Sequence, residues 1–293
     1  MTRTTRKWIV GLGLGPHDHG PILFGKWLAE HGGDQLVGVH VLEEAHLQAA
    51  LRYHHLPELE ANAMNAVRAV VEANGATASF AVVEVIEGRN SEETLTAAAA
   101  YRRCDGIIVG RHAGRDGHPV VRLGRIARRL LRATPTSLVI VPPDFDPTAV
   151  GKGPVVLACG LDEDGTGATE FARHFANQFG RPLELVHVAA SPEHHSAQYA
   201  PEATLAKIRA DSQGHAEDQL AQWAEVHRLE DATRVVRLGG TVDQLAAHAR
   251  ERDALMIITG SRRLSGFERL FLASAGTELA SHAVCPIVVI PPS

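Results

Sequence analysis

The chain has 293 residues, a formal net charge of −5 and a sequence pI of about 6.4. The length predicts about two domains, and the acidic balance argues against a general nucleic-acid binder, which would usually be basic. No apolar run reaches the roughly 18 residues that span a bilayer, and glycines break the first run, which favours a strand over a secretory signal. The cysteines Cys104, Cys159 and Cys285 are odd in number and widely separated, which is typical of reduced thiols. We therefore expect a cytoplasmic protein without membrane or nucleic-acid partners.

Strand and helix patterns alternate through the first half of the chain. Apolar runs predict strands at 7–12, 36–42, 78–86, 106–109 and 137–141. Apolar residues at helical spacing predict helices at 22–29, 56–74, 92–103 and 121–131. The pairs Gly32-Gly33 and Asn74-Gly75 are typical of helix ends. This alternation predicts a parallel sheet with helices on both faces.

The second half of the chain repeats the first. Pro142 to Pro154 is rich in proline and glycine and predicts a linker, which divides the chain into domains at 1–145 and 146–293. Beyond it, strands are predicted near 155–159, 183–188, 233–238, 255–259 and 286–290, and helices near 169–179, 203–227, 242–251 and 277–282. At an offset of 147 residues, Gly33 meets Gly180 and His40 meets His187. The matched histidines predict a packed, hydrogen-bonded role in the core.

The ends of the two halves carry a resemblance to a known family. The closing run His282 to Ile290, together with Gly260-Ser261-Arg262 followed by Phe267, resembles a tandem universal stress protein over the whole chain. The resemblance implies two doubly wound α/β domains of the Rossmann-like, adenine-nucleotide alpha-hydrolase-like type. Each would hold a five-stranded parallel sheet in the order 3-2-1-4-5. It also implies a homodimer and pairing of the two domains of one chain through their last strands.

ATP-binding members of this family carry a glycine loop that ends in a hydroxyl residue. The spacing is glycine, two residues, glycine, nine residues, glycine, then serine or threonine. In the second copy Gly260 and Ser274 keep the outer positions, while Arg263 and Ala273 replace the inner glycines. In the first copy Gly110 and Gly124 remain, with Ala113 at the second glycine and Arg125 at the hydroxyl position. The family's nucleoside-contacting aspartate aligns with Gly13 and Gly160, so both copies lack it.

The resemblance therefore implies a non-catalytic binding or sensor module of the stress response. Its ligand would be ATP, another adenine nucleotide or another phosphorylated compound, bound mainly in the second copy. The implied site residues are Gly260, Ser261, Arg262, Arg263, Gly266, Ser274, Asp162 and Val188 in the second copy, and Gly110 and Gly124 in the first.

Three alternatives stay open at this point. The first is a nucleotide-free scaffold that acts through dimerisation or partner surfaces. The second is a metal site at the loops that carry His17, Asp18, His19, His112 and His118, although loop histidines without a spacing motif do not favour a metal cofactor. The third is a dinucleotide loop after the first strand, where the third glycine of the fingerprint is replaced by Asp18. No nucleophile elbow, Walker lysine or zinc-protease motif is present, so we expect no dedicated enzyme, with weak nucleotide hydrolysis left open.

Overall fold

The chain folds into two compact units, Met1–Val150 and Gly151–Ser293. The structure is a computed structural model that describes residues 5–52, 55–111, 123–161, 165–191, 201–260, 279–280 and 283–291. Within these ranges, no helix is both long and apolar enough to cross a membrane.

The first unit alternates strands and helices. Its strands are β1 (Lys7–Gly11), β2 (Gln35–Glu43), β3 (Phe80–Gly88), β4 (Gly106–Gly110) and β5 (Ser137–Val141). Its helices are α1 (Gly20–Gly32), α2 (Glu44–Arg52), α3 (Leu56–Ala73), α4 (Ser91–Tyr101) and α5 (Arg125–Ala133). Short 3₁₀ turns lie at Thr77–Ser79 and Pro147–Ala149.

The second unit repeats this series. Its strands are β6 (Val155–Ala158), β7 (Leu183–Ala189), β8 (Thr233–Leu238), β9 (Met256–Gly260) and β10 (Ile287–Ile290). Its helices are α6 (Thr166–Phe179), α7 (Glu202–Val226) and α8 (Thr241–Glu251). Of the helix predicted at 277–282, only residues 279–280 lie in the described part of the chain, and both are helical there.

Both units contain a parallel sheet with the predicted strand order. The first sheet runs β3-β2-β1-β4-β5 and the second runs β8-β7-β6-β9-β10. All the strand pairs described within each unit are parallel. In each unit the first strand lies at the centre, with the second strand on one side and the fourth on the other. The predicted α/β class and strand order are therefore confirmed.

The central strands are buried on both faces. Trp8, Ile9 and Val10 follow one another in β1, and each is 0% exposed. Because successive strand residues point to opposite faces, helices must cover both sides of the sheet. The Trp8 indole is buried with its Nε1 atom donating to Asp34 Oδ2 at 2.9 Å. This bond lets the large ring pack in the core without leaving its polar atom unpaired.

One helix was not predicted from the sequence. Helix α2 follows β2 directly, and its sequence EAHLQAALR lacks a long apolar repeat. Leu47 is fully buried there. A nine-residue helix with so short an apolar stripe gives a weak periodic signal, because tertiary packing rather than pattern stabilises it.

Helix ends explain why the two copies match at their glycines. Gly33 ends α1 with φ of 76°, and Gly180 ends α6 with φ of 60°. Both values lie in the left-handed region, where a Cβ atom is strained. No atom lies within 4 Å of the Cβ that an alanine would add at either position. The glycines are therefore needed for their backbone conformation and not for space.

Chemically identical substitutions of glycine by alanine should have opposite effects on stability at different positions. Gly33→Ala and Gly180→Ala should each lower the free energy of unfolding by about 1–2 kcal/mol, since alanine is strained at positive φ. Gly214→Ala is the matched control, because Gly214 lies inside α7 with equally open surroundings. It should raise stability by about 0.5–1 kcal/mol. Urea unfolding followed by tryptophan fluorescence measures all three, and a loss of stability in all of them would contradict the explanation.

Candidate ligand-binding site

A cavity of about 430 Å³ opens at the carboxyl ends of β1, β2 and β4 in the first unit. Most of the side chains around it are apolar and come from the strand ends and α4, including Leu12, Val39, Val41, Leu95 and Val109. The polar residues of its lining are Asp18, His40, Ser91 and Arg125. The first turns of α4 and α5 also contribute to the wall. An apolar pocket with a few convergent polar groups is the usual form of a small-molecule site.

Asp18 lies where a side chain on Gly13 would lie. A Cβ atom built on Gly13 would stand 2.2 Å from Asp18 Oδ2. The same oxygen accepts a hydrogen bond from the Gly15 backbone amide at 2.9 Å, which holds the carboxylate in place. The alignment alone shows the family's aspartate as lost from the first copy. The structure shows a carboxylate in that space, supplied from five residues further along the chain.

Glu43 forms an ion pair at the rim of this cavity. The Arg125 Nη2 atom donates to both carboxylate oxygens of Glu43, at 2.8 Å each. The Ser91 backbone amide and hydroxyl also donate to Glu43 Oε1, at 3.1 and 2.7 Å. The bond from Arg125, followed by those from Ser91, lowers the pKa of Glu43 from 4.5 to about 2, although burial opposes the shift. Glu43 is therefore ionised at neutral pH.

The two matched histidines make the same hydrogen bond in both units. His40 Nδ1 lies 2.7 Å from the Leu12 carbonyl oxygen, and His187 Nδ1 lies 2.8 Å from that of Cys159. A carbonyl oxygen only accepts, so Nδ1 must carry the proton in each ring. The predicted hydrogen-bonded role is confirmed, but both rings are half-buried. His40 lines the cavity, which the sequence did not predict.

Comparison with known protein families assigns a family to this chain. A sequence model of the universal stress protein family matches residues 5–142 and again residues 153–291. The chain belongs to the universal stress protein family. Proteins of curated function give no match. The double match means that the protein carries two universal stress protein domains in tandem.

Solved structures of the same size share the fold. A universal stress protein from Archaeoglobus fulgidus has a TM-score of 0.68 at 16% identity, with 99% of this chain and 100% of that chain covered. A protein of unknown function from Pseudomonas aeruginosa PAO1 has a TM-score of 0.65 at 13% identity, with coverage of 99% and 94%. A putative universal stress protein from P. aeruginosa UCBPP-PA14 has a TM-score of 0.64 at 13% identity, with the same coverage. At these identities the likeness concerns the fold alone.

The structure brings together only some of the predicted site residues. Gly110, at the end of β4, and Gly124, before α5, both line the cavity of the first domain. In the second domain Val188 lies in β7 beside Arg237, and Gly260 ends β9 beside Ile290. Ser261, Arg262, Arg263, Gly266, Ser274 and Asp162 lie outside the described residues. Their predicted role in the second domain stays a prediction.

The histidine-rich loop of the first domain is engaged in other contacts. His19 Nδ1 lies 3.0 Å from the Asn74 side-chain amide, and Asp18 is bonded to the Gly15 amide. Among the described residues, no group of three or more histidine, cysteine or acidic side chains is arranged to hold a metal. His112 and His118 fall outside that part of the chain.

The sequence indicated Asp18 only as a candidate metal ligand and Arg125 only at the hydroxyl position of the glycine loop, and it did not indicate that Glu43 and Arg125 are partners. Glu43 ends β2, and Arg125 begins α5, 82 residues later. Both are placed at the carboxyl edge of a parallel sheet, which is the one signal that would have grouped them. In sequences of this fold, an acidic residue at a strand end and an arginine at a helix start are therefore candidates for an ion pair.

The lowered pKa of Glu43 predicts a specific pH dependence of stability. Because the folded pKa of about 2 lies below the ordinary 4.5, ionised Glu43 stabilises the fold above about pH 4.5. This contribution is lost as the pH falls from about 4.5 to about 2. Thermal unfolding of the wild type should therefore lose more stability across this interval than unfolding of Glu43→Gln. Equal slopes for the two proteins would contradict the ion pair.

Proposed function

We propose that this universal stress protein is a cytoplasmic, non-catalytic sensor that binds an adenine nucleoside or nucleotide in the cavity of its first domain. The observation that carries the proposal is the position of that cavity. It lies beside β1 and β4, where the strand order reverses and ligands of doubly wound sheets bind.

The cavity offers two kinds of surface to a nucleoside. Its apolar part, with Val39, Val41 and Leu95, suits the faces of a flat base, which is driven into it by the hydrophobic effect. Its polar part includes Asp18, whose carboxylate is anchored by Gly15. An ionised carboxylate accepts hydrogen bonds strongly from sugar hydroxyls or ring amino groups. Such a pair of surfaces fixes both the depth and the orientation of the ligand.

The second domain is proposed as a second, weaker location. Gly260 ends β9 at the same relative place as Gly110 ends β4. The arginines that follow Gly260 in sequence supply positive charge for a phosphate. The homodimer and the pairing of domains through their last strands remain predictions from the family resemblance.

Replacing Asp18 tests the first-domain site. Isothermal titration of the full chain with adenosine, AMP, ADP and ATP should detect binding. Asp18→Ala should weaken that binding by about 10- to 100-fold, since a charge-assisted hydrogen bond contributes roughly 1.5–3 kcal/mol. Asp146→Asn is the control, because Asp146 is an exposed aspartate of the same unit that accepts its bonds from Thr148. No heat for any of these ligands at millimolar concentration would refute the proposal.

A scaffold that binds no nucleotide is the alternative, and the second-domain loop distinguishes it. The inner glycines of the family loop are replaced there by Arg263 and Ala273. If the loop has lost its ligand, Arg263→Gly with Ala273→Gly should create ATP binding that the wild type lacks, because glycines let backbone amides approach phosphate. Titration of Asp18→Ala with ATP, with and without these two changes, reduces the contribution of the first domain, so a difference between the two proteins reports on the second domain. Equal ATP affinity in both backgrounds would count against the scaffold.

A further inference from the structure

The carboxylate of Glu43 is held as a bound anion would be. The Glu43 side chain is 10% exposed, and its carboxylate receives four hydrogen bonds, two from Arg125 and two from Ser91. Ser91 is the first residue of α4, after the N-cap Asn90, so its amide belongs to the positive end of the helix dipole. Guanidinium, hydroxyl and helix-start amide are the donors that proteins use for phosphate.

The same donors border the ligand cavity. Ser91 and Arg125 both belong to its lining, and the Arg125 side chain is 53% exposed. The guanidinium is therefore within the reach of a ligand in the cavity, but its charge is already compensated by Glu43. A ligand phosphate would have to displace a carboxylate that belongs to the protein itself.

We propose that Glu43 is a specificity-determining residue, which occupies the anion position of the first-domain cavity and makes that cavity select an uncharged nucleoside over its phosphorylated forms. This inference rests on the proposed function, since it names the ligand class of the same site.

The charged groups around the cavity also disfavour the binding of a phosphate. Asp18 places a carboxylate in the wall of the cavity, and the carboxylate of Glu43 is bonded to Arg125, the one arginine among the described lining residues. The first turn of α5 also faces the cavity, through Gly124 to Ala127, and offers partial positive charge. A helix end contributes less to anion binding than a free guanidinium does. A phosphate therefore gains little here while it approaches two negative groups.

Glu43→Gln tests the inference directly, because it removes the internal anion and keeps the shape. Titration of the full chain with adenosine and AMP gives the ratio of the two affinities. In the wild type adenosine should bind at least as tightly as AMP. In Glu43→Gln, AMP should gain about 10- to 100-fold relative to adenosine, since Arg125 becomes free to bind the phosphate. A wild type that binds AMP more than about tenfold tighter than adenosine would overturn the inference, as would equal changes for both ligands.

Two further variants separate the effect of the Glu43 charge on affinity from structural effects of the substitution. Glu92→Gln is the matched control: Glu92 is also buried at the start of α4 and pairs with an arginine of α5, Arg129. Neither of these two residues lines the cavity, and Glu92 acts on Arg125 through its charge without displacing a group from the cavity, so the affinity ratio should change much less than in Glu43→Gln. Glu43→Gln with Arg125→Gln replaces the ion pair by a neutral pair and leaves no buried charge unpaired. It should keep the wild-type ratio, and a selective loss of AMP affinity in it would show that Arg125 already binds phosphate.

Inorganic phosphate gives a readout that does not depend on nucleoside binding. Phosphate at about ten times its dissociation constant raises the stability of a protein that binds it in the folded state. We expect it to raise the melting temperature of Glu43→Gln but not that of the wild type or of the neutral pair. If nucleosides fail to bind and this shift appears, the proposed function is wrong and Glu43 still occupies an anion site. If Glu43→Gln shows no shift, the inference is wrong, whatever the nucleosides do.

Discussion

The reversal of strand order around the first strand is the constraint on which the rest of the structure depends. In the first domain the chain leaves β1 for β2 on one side and returns to β4 on the other. The connections after β1 and β4 must therefore diverge, and a cavity opens between them at the carboxyl edge of the sheet. The second domain repeats this arrangement around β6, with β7 and β9 as neighbours. Duplication has thus preserved the same strand order in both halves.

The two domains keep the same frame but use their buried charges differently. In the first domain Glu43 is bonded to Arg125 beside the cavity. In the second domain the buried acid is Glu184 in β7, which is 2% exposed and bonded to His248 and Arg252. At the offset of 147 residues, Glu184 corresponds to Val37 in the first domain. A buried carboxylate requires partners wherever it lies. Each domain therefore has its own polar network. The residues of these networks differ between the two copies.

Much of the fold could be predicted from the sequence because its signals are local. Runs of apolar residues indicated strands that are buried on both faces, and the pairs Gly32-Gly33 and Asn74-Gly75 indicated helix ends. Helix α2 escaped because its apolar stripe is too short to show a period. The site was harder to predict, since Asp18 occupies the space that a side chain at position 13 would take, although it lies five residues away in sequence. An alignment compares positions along the chain, and it cannot register a carboxylate that reaches the same volume from another residue.

The sequence by itself determined that this protein is a duplicated α/β chain of the universal stress protein family, with strands and helices in a fixed order. That information lies in periodicity, helix ends and motifs, all of which are short-range features of the chain. Only the tertiary structure decided which charged groups meet. Glu43, Ser91 and Arg125 come from three separate segments, and Asp18 is oriented by the turn at Gly15. Their contacts exist because the parallel sheet brings the ends of its strands and the starts of its helices to one edge, which is a consequence of folding and not of proximity along the chain.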